Sequence, residues 1–133
     1  MDHFNPRILI SPGPFKECLD SEQIALAMSI GVNQILPNAI ISIRPICDGG
    51  SGIVKLLTEA NGGKLISTKV LNPIGNEVEA KLGLLSDGKT IIIESAQAAG
   101  LNLIPKNKRN PLNTSTFGVG QLIMRAMDLG AKK

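Results

Sequence analysis

The sequence is poor in aromatic residues, since its 133 residues include three Phe and neither Tyr nor Trp. A hydrophobic core must therefore be built from aliphatic side chains, which are plentiful because 43% of the residues are hydrophobic. Proteins that bind single-stranded nucleic acid stack the bases on aromatic rings. The shortage of such rings argues against a nucleic-acid partner. The net charge of +3 instead fits a solvated basic face or a small anionic ligand.

Cysteine and histidine are also scarce, with two Cys residues and one His. Cys18 and Cys47 form neither a disulfide framework nor the spacing of a metal-binding motif. The N-terminal apolar run stops at Ile10 and Pro12 follows, which differs from the pattern of a signal peptide. No stretch approaches the ~18 apolar residues that a membrane-spanning helix requires. We therefore expect a cytoplasmic protein without a membrane partner.

Residues 1–65 alternate between predicted strands and helices. The apolar run from Arg7 to Ser11 predicts a strand, and Asp20 with Gln23 predicts a capping box at the start of a helix. A second strand is predicted over Ala39 to Ile46, and a second helix follows the sequence CDGGSG. This order is typical of an open parallel α/β sheet, whose ligands bind beyond the carboxyl ends of the strands. The predicted apolar helix faces are Ile24, Met28, Val32 and Ile35, and then Ile53, Leu56, Leu57 and Ala60.

Residues 66–133 have a different pattern. Polar and apolar residues alternate from Glu77 to Leu85 between the turn sequences NPIGN and SDGK, which predicts a half-buried strand. Short strands joined by turns favour an antiparallel meander, so we place a domain boundary near residue 65. The last predicted helix has an apolar face and ends at Gly130; that face comprises Val119, Leu122, Ile123, Ala126 and Met127.

Two loops that follow predicted strands carry candidate chemistry. In SPGPFKECLDS, Lys16 could hold an anion together with backbone amides at a helix start, although a proline-stiffened turn explains the same residues. In CDGGSG, Asp48 could ligate Mg²⁺ or accept a proton from a hydroxyl. The glycines of this loop would let a ligand approach the backbone closely. A turn capped by Asp48 is the alternative.

The second half of the chain adds three candidate residues. Glu94 ends the apolar run TIII, so its carboxylate is expected to be partly desolvated, and a buried Glu is rare unless it is paired. The alternative is a strand that emerges into solvent. In KRNPLNTSTFGVG, Arg109 could hold a carboxylate in bidentate fashion. Thr116 precedes the last helix. It could cap that helix in the ordinary way or help to bind an anion at the positive helix end.

Taken together, five stretches resemble signatures of the glycerate kinase family, whose members transfer the γ-phosphate of ATP to D-glycerate. PGPFKECLD is similar to the family sequence P-D-S-F-K-G-S-L-S, and CDGGSGI to A-D-G-G-E-G-T. NPIGNEV corresponds to a third signature. The longest and most specific matches are ESAQAAGL and RNPLNTSTFGVGQLI. The resemblance runs in order along nearly the whole chain.

The resemblance implies a fold of the α/β class. It implies the N-terminal part of a flavodoxin- or Rossmann-like parallel-sheet domain in residues 1–65. Residues 66–133 would begin an inserted mixed α/β domain that contains the antiparallel meander. The implied activity is phosphorylation of D-glycerate with ATP and Mg²⁺ as cofactors. Lys16 and Asp48 would be catalytic, Asp48 would also be the candidate Mg²⁺ ligand, and the residues that bind substrate or phosphate would be Gly49, Gly50, Gly52, Glu94, Arg109 and Thr116.

The sequence departs from the family pattern at several motif positions. Gly13 and Pro14 stand where the family has Asp and Ser, and Ser51 stands where it has Glu, so a relaxed or different substrate preference is open. Family chains continue beyond the last helix into a further strand. We therefore expect an N-terminal fragment that is inactive alone, with a complementing C-terminal chain or a homo-oligomer as partner. The alternative is a module that binds a small anion.

Overall fold

The computed structural model of the chain describes residues 5–15 and 18–133. These residues form two compact units, of which the first ends at Asp48 and the second comprises residues 49–133. The first unit contains strand β1 (Arg7–Ile10), helix α1 (Ser21–Ile35) and strand β2 (Ile40–Ile43). The two strands pair in parallel, from Arg7 opposite Ile40 to Ile10 opposite Ile43. The predicted strand–helix–strand order of this region is confirmed.

Helix α1 begins with the predicted capping box. The Asp20 carboxylate accepts a hydrogen bond from the backbone N–H of Gln23 at 2.8 Å, and the Gln23 side chain accepts one from the N–H of Asp20 at 3.1 Å. The buried face of the helix differs from the predicted one, because Met28 and Ile35 are exposed. Its buried residues are Ser21, Ile24, Ala25 and Ser29. Small side chains make most of this face, and a pattern of large apolar residues does not reveal it.

The parallel pairing of the first unit continues beyond the two strands. The N–H of Arg44 donates to the carbonyl of Ile10 at 2.9 Å, and the N–H of Ile46 donates to the carbonyl of Pro12 at 3.1 Å. The Ser11 hydroxyl donates to the carbonyl of Arg44 at 2.7 Å. The segments that leave β1 and β2 therefore start side by side at the carboxyl ends of the strands.

The second unit contains an antiparallel sheet with the strand order β3-β4-β5. Strand β3 (Lys64–Leu71) pairs with β4 (Glu77–Leu84) along its whole length, from Lys64 opposite Leu84 to Leu71 opposite Glu77. Strand β5 (Ile91–Ile92) adds a short pairing with the end of β4. The predicted meander is confirmed, although β5 is shorter than the apolar run from Thr90 to Glu94 suggests.

Helix α2 (Ile53–Ala60) packs against this sheet. Its buried residues are Val54 and Thr58, whereas the predicted apolar face has Leu57 exposed. A Cβ atom at Gly83 of β4 would clash with the Thr58 hydroxyl, so glycine is required where helix and strand meet. Because α2 packs on the meander, the compact units divide between Asp48 and Gly49 rather than near residue 65. The domain boundary of the family fold near residue 65 stays a prediction.

The remaining elements of the second unit complete its core. Helix α3 (Ala96–Ala99) is followed by three short 3₁₀ turns and by helix α4 (Phe117–Asp128). The core combines residues of β3, β4, β5, α3 and α4, namely Val70, Ala80, Leu82, Ile91, Ala98, Leu122 and Ala126. Of the predicted α4 face, Leu122 and Ala126 are buried, whereas Ile123 and Met127 are exposed. None of the helices in the described ranges is long and apolar enough to cross a membrane.

Candidate functional site

The first two predicted site residues belong to the N-terminal unit. Lys16 lies outside the described residues. Asp48 is exposed and is the last residue of this unit. It follows Ile46 by two residues, and Ile46 is hydrogen-bonded to Pro12, so Asp48 extends from the edge where the loop after β1 also begins. This is the edge at which open parallel sheets place their ligands.

The glycine-rich loop of residues 49–52 opens the second unit and leads into α2. Gly49 has a φ of 87° and Gly52 a φ of 93°, a left-handed conformation that side chains with a Cβ atom rarely adopt. A Cβ atom at either position would have no heavy atom within 4 Å. Backbone conformation, and not crowding, therefore requires glycine here. Gly52 is also the N-cap residue of α2 and has no side chain with which to cap it.

Glu94 supplies the missing cap. Its Oε2 atom accepts a hydrogen bond from the backbone N–H of Gly52 at 3.0 Å and another from Val54 at 3.4 Å. The residue is only 6% exposed, so the carboxylate lies largely out of water against the start of α2. A negative charge is stabilised at a helix N-terminus by the unpaired amides and by the helix dipole. The structure thus brings together two predicted site residues, Gly52 and Glu94, that are 42 positions apart.

Arg109 and Thr116 lie in the segment that leads to α4. The Nε atom of Arg109, which is half-buried, donates to the carbonyl of Ile104 at 3.2 Å. Thr116 is exposed and is the N-cap residue of α4, but its side chain makes no capping hydrogen bond. The neighbouring Ser115 hydroxyl accepts from the N–H of Phe117 at 3.0 Å instead. The Thr116 hydroxyl is therefore not used in capping its own helix.

A metal centre made only of protein ligands is not formed by residues 5–15 and 18–133. No three His, Cys, Asp or Glu side chains among them cluster closely enough to hold a metal ion. Mg²⁺ does not require such a cluster, since that ion is usually held by one or two carboxylates together with water and substrate phosphates. Asp48, as an exposed carboxylate at the sheet edge, has the ligand chemistry for such a role.

Sequence reasoning missed the part played by Asn72. Its side chain is buried, and its Oδ1 atom accepts from the N–H groups of Ile74 at 3.1 Å and Asn76 at 2.9 Å. The next residue, Pro73, accepts at its carbonyl from the N–H of Ser115 at 3.0 Å. Two of the family-like motifs, NPIGNEV and RNPLNTSTFGVGQLI, are therefore joined at this turn. An Asn-Pro pair at the end of a strand is a local turn signal, but the partner of the turn is not readable from it.

A groove of about 680 Å³ lies between β3 and α4, apart from the predicted site residues. Thr68 and Lys69 line it from the strand, and Phe117, Ile123 and Met124 are among the residues that line it from the helix. These three helix residues are exposed and apolar. Since the lining includes neither the glycine-rich loop nor Glu94, the groove is a separate feature of the second unit.

Comparisons with known proteins agree with the motifs. Residues 8–133 match the model of the glycerate kinase family. The chain is 44% identical to the glycerate kinase of Haemophilus influenzae over 126 residues, which are 95% of this chain and 33% of the relative. It is 40% identical to the glycerate 2-kinase of Escherichia coli over 125 residues, which are 94% of this chain and 33% of the relative.

A solved structure extends the agreement to the fold. The crystal structure of a putative glycerate kinase 2 from Salmonella typhimurium superposes with a TM-score of 0.67 at 36% sequence identity. The match covers 97% of this chain and 34% of that one. The chain thus spans about a third of the length of the curated relatives that it matches, and the predicted mixed α/β fold with one parallel and one antiparallel sheet is confirmed.

Proposed function

Since the chain belongs to the glycerate kinase family, we propose that it carries part of an enzyme that phosphorylates D-glycerate with ATP and Mg²⁺. The observation that carries the proposal is the shared edge of the first sheet. The loop that contains Lys16 and the segment that ends in Asp48 leave adjacent parallel strands, which are joined by the Ile46–Pro12 hydrogen bond. Ligands of open α/β sheets bind at this edge.

Each side chain has a role in this proposal that matches its chemistry. Asp48 accepts the proton of the glycerate hydroxyl or ligates Mg²⁺, and Lys16 offsets phosphate charge as an ammonium group. When bound, ATP would supply the phosphoryl group that is transferred, and Mg²⁺ would neutralise the charge that develops on that group. Gly49 and Gly50 allow a close backbone approach. Gly52 and Glu94 are joined by a hydrogen bond within the second unit, and in this proposal Arg109 and Thr116 of the same unit also contact substrate.

The relatives also suggest which product to look for. The Escherichia coli relative is named a glycerate 2-kinase, so 2-phosphoglycerate is the product that we propose for this chain. We further propose that activity requires the rest of the family sequence, provided by a complementing chain or by a homo-oligomer. The cytoplasm, with its ATP and small organic acids, is the proposed location.

The experiment is an activity assay on two proteins. One is the chain of 133 residues alone, and the other is a chimera in which this chain replaces the matching third of the Haemophilus influenzae relative. We expect ATP-dependent formation of phosphoglycerate by the chimera and none by the chain alone. Turnover by the chain alone would contradict the requirement for a complement, and a folded chimera without turnover would contradict the proposed function.

Variants of the chimera test the residue roles. Asp48→Asn and Lys16→Ala should each lower kcat/KM at least about 10-fold, which corresponds to ~1.4 kcal/mol of lost transition-state stabilisation. Glu59→Gln and Lys64→Ala are matched controls, since both residues are exposed and lie on α2 and β3. A loss of less than about 10-fold in both site variants would overturn the assignment of Asp48 and Lys16.

A second candidate function is a module that binds a small anion without catalysis. It is favoured by the pI of about 9.0 and by the phosphate chemistry of the family. Thermal-shift measurements on the chain of 133 residues with glycerate and with ATP distinguish the two functions. Stabilisation by either ligand, together with an inactive chimera, would favour the binding module.

A further inference from the structure

The start of α2 is a position where phosphate binding would ordinarily be expected. A glycine-rich loop leads into a helix, and the first backbone amides of the helix have no partner within it. In this chain two of the amides at this terminus are already engaged by a side chain, because the Gly52 and Val54 N–H groups donate to Glu94 Oε2 at 3.0 and 3.4 Å. The anion at this helix terminus is therefore part of the protein.

Glu94 is well placed to hold that position permanently. It is 6% exposed, and it follows β5, whose Ile91 and Ile92 pair with Leu84 and Gly83 of β4. Ser95, the next residue, accepts at its carbonyl from the N–H groups of Ala98 and Ala99 of α3. The backbone on both sides of Glu94 is thus hydrogen-bonded, so the carboxylate is presented to α2 from a fixed support.

The loop also needs such an anchor. Gly49 and Gly52 both have positive φ values, and a chain segment rich in glycine loses more conformational entropy on ordering than any other. Gly52, at the N-cap position, has no side chain that could accept a hydrogen bond from the first amides of α2. A carboxylate supplied from elsewhere in the same unit orders the loop and neutralises the helix end together.

We propose that Glu94 is a positioning residue for the phosphoryl-transfer site. Its carboxylate orders the glycine-rich loop and keeps phosphate away from the N-terminus of α2. This inference rests on the proposed function for the reaction involved, but the anchoring itself does not. Glu94 acts on substrate only through Gly52 and the preceding glycines. Substrate phosphate then binds at backbone that precedes Gly52, and a second negative charge at the α2 amides is excluded by repulsion.

The anchoring is tested by amide hydrogen exchange on the chain of 133 residues. Glu94→Ala should increase exchange at Gly52 and Val54 by about 10-fold or more, because hydrogen bonds to a charged acceptor are among the stronger ones. Gln97→Ala is the matched control, because it also removes a side-chain oxygen that accepts from a backbone N–H, that of Lys81 on β4 at 2.6 Å. Unchanged exchange at Gly52 and Val54 in Glu94→Ala would overturn the inference, whatever the activity of the enzyme.

The exclusion of phosphate is tested with inorganic phosphate as the probe. In the unmodified chain, titration with phosphate should leave the NMR shifts of the Gly52 and Val54 amides unchanged apart from the effect of ionic strength. Saturable shifts of both amides at millimolar phosphate would show that Glu94 does not exclude the anion, and would overturn that part of the inference.

The positioning role is tested in the chimera with the Haemophilus influenzae relative. Glu94→Ala should lower kcat about 10-fold or more while KM for D-glycerate changes less than about threefold, since the reacting groups lose alignment and glycerate loses no contact. Glu94→Gln keeps an acceptor for the amides and should recover part of kcat, and Gln97→Ala should keep it all. A rise in KM with unchanged kcat would make Glu94 a substrate contact and overturn the inference. Loss of activity in the unsubstituted chimera, with exchange results as expected, would reject the proposed function and leave the anchoring in place.

Discussion

The two compact units differ in how completely they bury their apolar residues. In the second unit, α2, α3 and α4 all contribute buried residues against a three-stranded sheet, and Leu82 and Leu122 are fully buried. In the first unit, α1 accompanies a two-stranded sheet, and large apolar side chains such as Leu9 and Ile35 are 65% and 80% exposed. The second unit therefore owes its stability mainly to core packing. The first depends on local features such as the capping box and the parallel strand pair.

Removing a buried side chain from the second unit should have the largest effect on stability. Leu122→Ala should lower the free energy of unfolding of this unit by about 2–5 kcal/mol, because transfer energy is lost and a cavity is left. Leu9→Ala should change the free energy of unfolding of the first unit by less than about 0.5 kcal/mol, since the Leu9 side chain is mostly in water. Amide hydrogen exchange, recorded in each unit at increasing denaturant concentration, measures the change in the free energy of unfolding for both variants. Equal losses from the two variants would contradict the difference between the units.

Close packing within the second unit is tested at two glycines of α4. A Cβ atom at Gly118 would clash with the carbonyl oxygen of Leu71, whereas one at Gly120 would have no heavy atom within 4 Å. Gly118→Ala should therefore destabilise the unit by about 1–3 kcal/mol through forced backbone shifts. Gly120→Ala should stabilise it by about 0.5–1 kcal/mol, because alanine favours the helix. Thermal unfolding of the two variants gives the comparison, and a stabilising Gly118→Ala would show that α4 is not held against β3 at this point.

The smallest expected effect is the pH dependence of the turn between β4 and β5. The Asp87 carboxylate accepts from the Thr90 hydroxyl and from the N–H groups of Lys89 and Thr90, which lower the pKa of Asp87 from 3.8 to about 2. A pKa that is lower in the folded state means that the carboxylate contributes stability above pH 3.8, and this contribution is lost as the pH falls toward 2.

Asp87→Asn separates this contribution from the rest of the acid response. The variant should have a lower Tm than the unmodified chain at pH 6, and the difference should shrink as the pH is lowered from 4 to about 2. Thr90→Val removes the hydroxyl hydrogen bond that lowers the pKa of Asp87 most, so the loss of stability should occur at a higher pH. A difference in Tm that grows on acidification would contradict the assignment.

Local structure in this chain is predictable where a short-range rule governs it. The capping box of α1 depends on Asp20 and Gln23, which are three residues apart, and β4 follows from strict alternation between Glu77 and Leu84. The buried faces of the helices were predicted less well, because burial depends on what each helix packs against. In α2 the buried side chains are Val54 and Thr58, which meet Gly83 of β4.

The candidate site shows the same limit over longer distances. Sequence motifs identify Gly52 and Glu94 as residues of interest, but not that one donates a hydrogen bond to the other. Neither periodicity nor turn chemistry encodes a contact between residues 42 positions apart, since it arises only when β5 and α2 pack in the same unit. The role of Glu94 at the helix N-terminus is for this reason a result of the structure alone.

Two glutamine side chains of the second unit also have a consequence for solubility. Gln121 accepts a hydrogen bond from the N–H of Leu71 at the end of β3, and Gln97 accepts one from Lys81 of β4, beyond the short pairing with β5. Unpaired strand amides at a sheet margin are templates on which strands of other molecules add. By accepting from these two amides within the same molecule, the side chains of Gln97 and Gln121 remove two positions at which a strand of another molecule could pair with the meander.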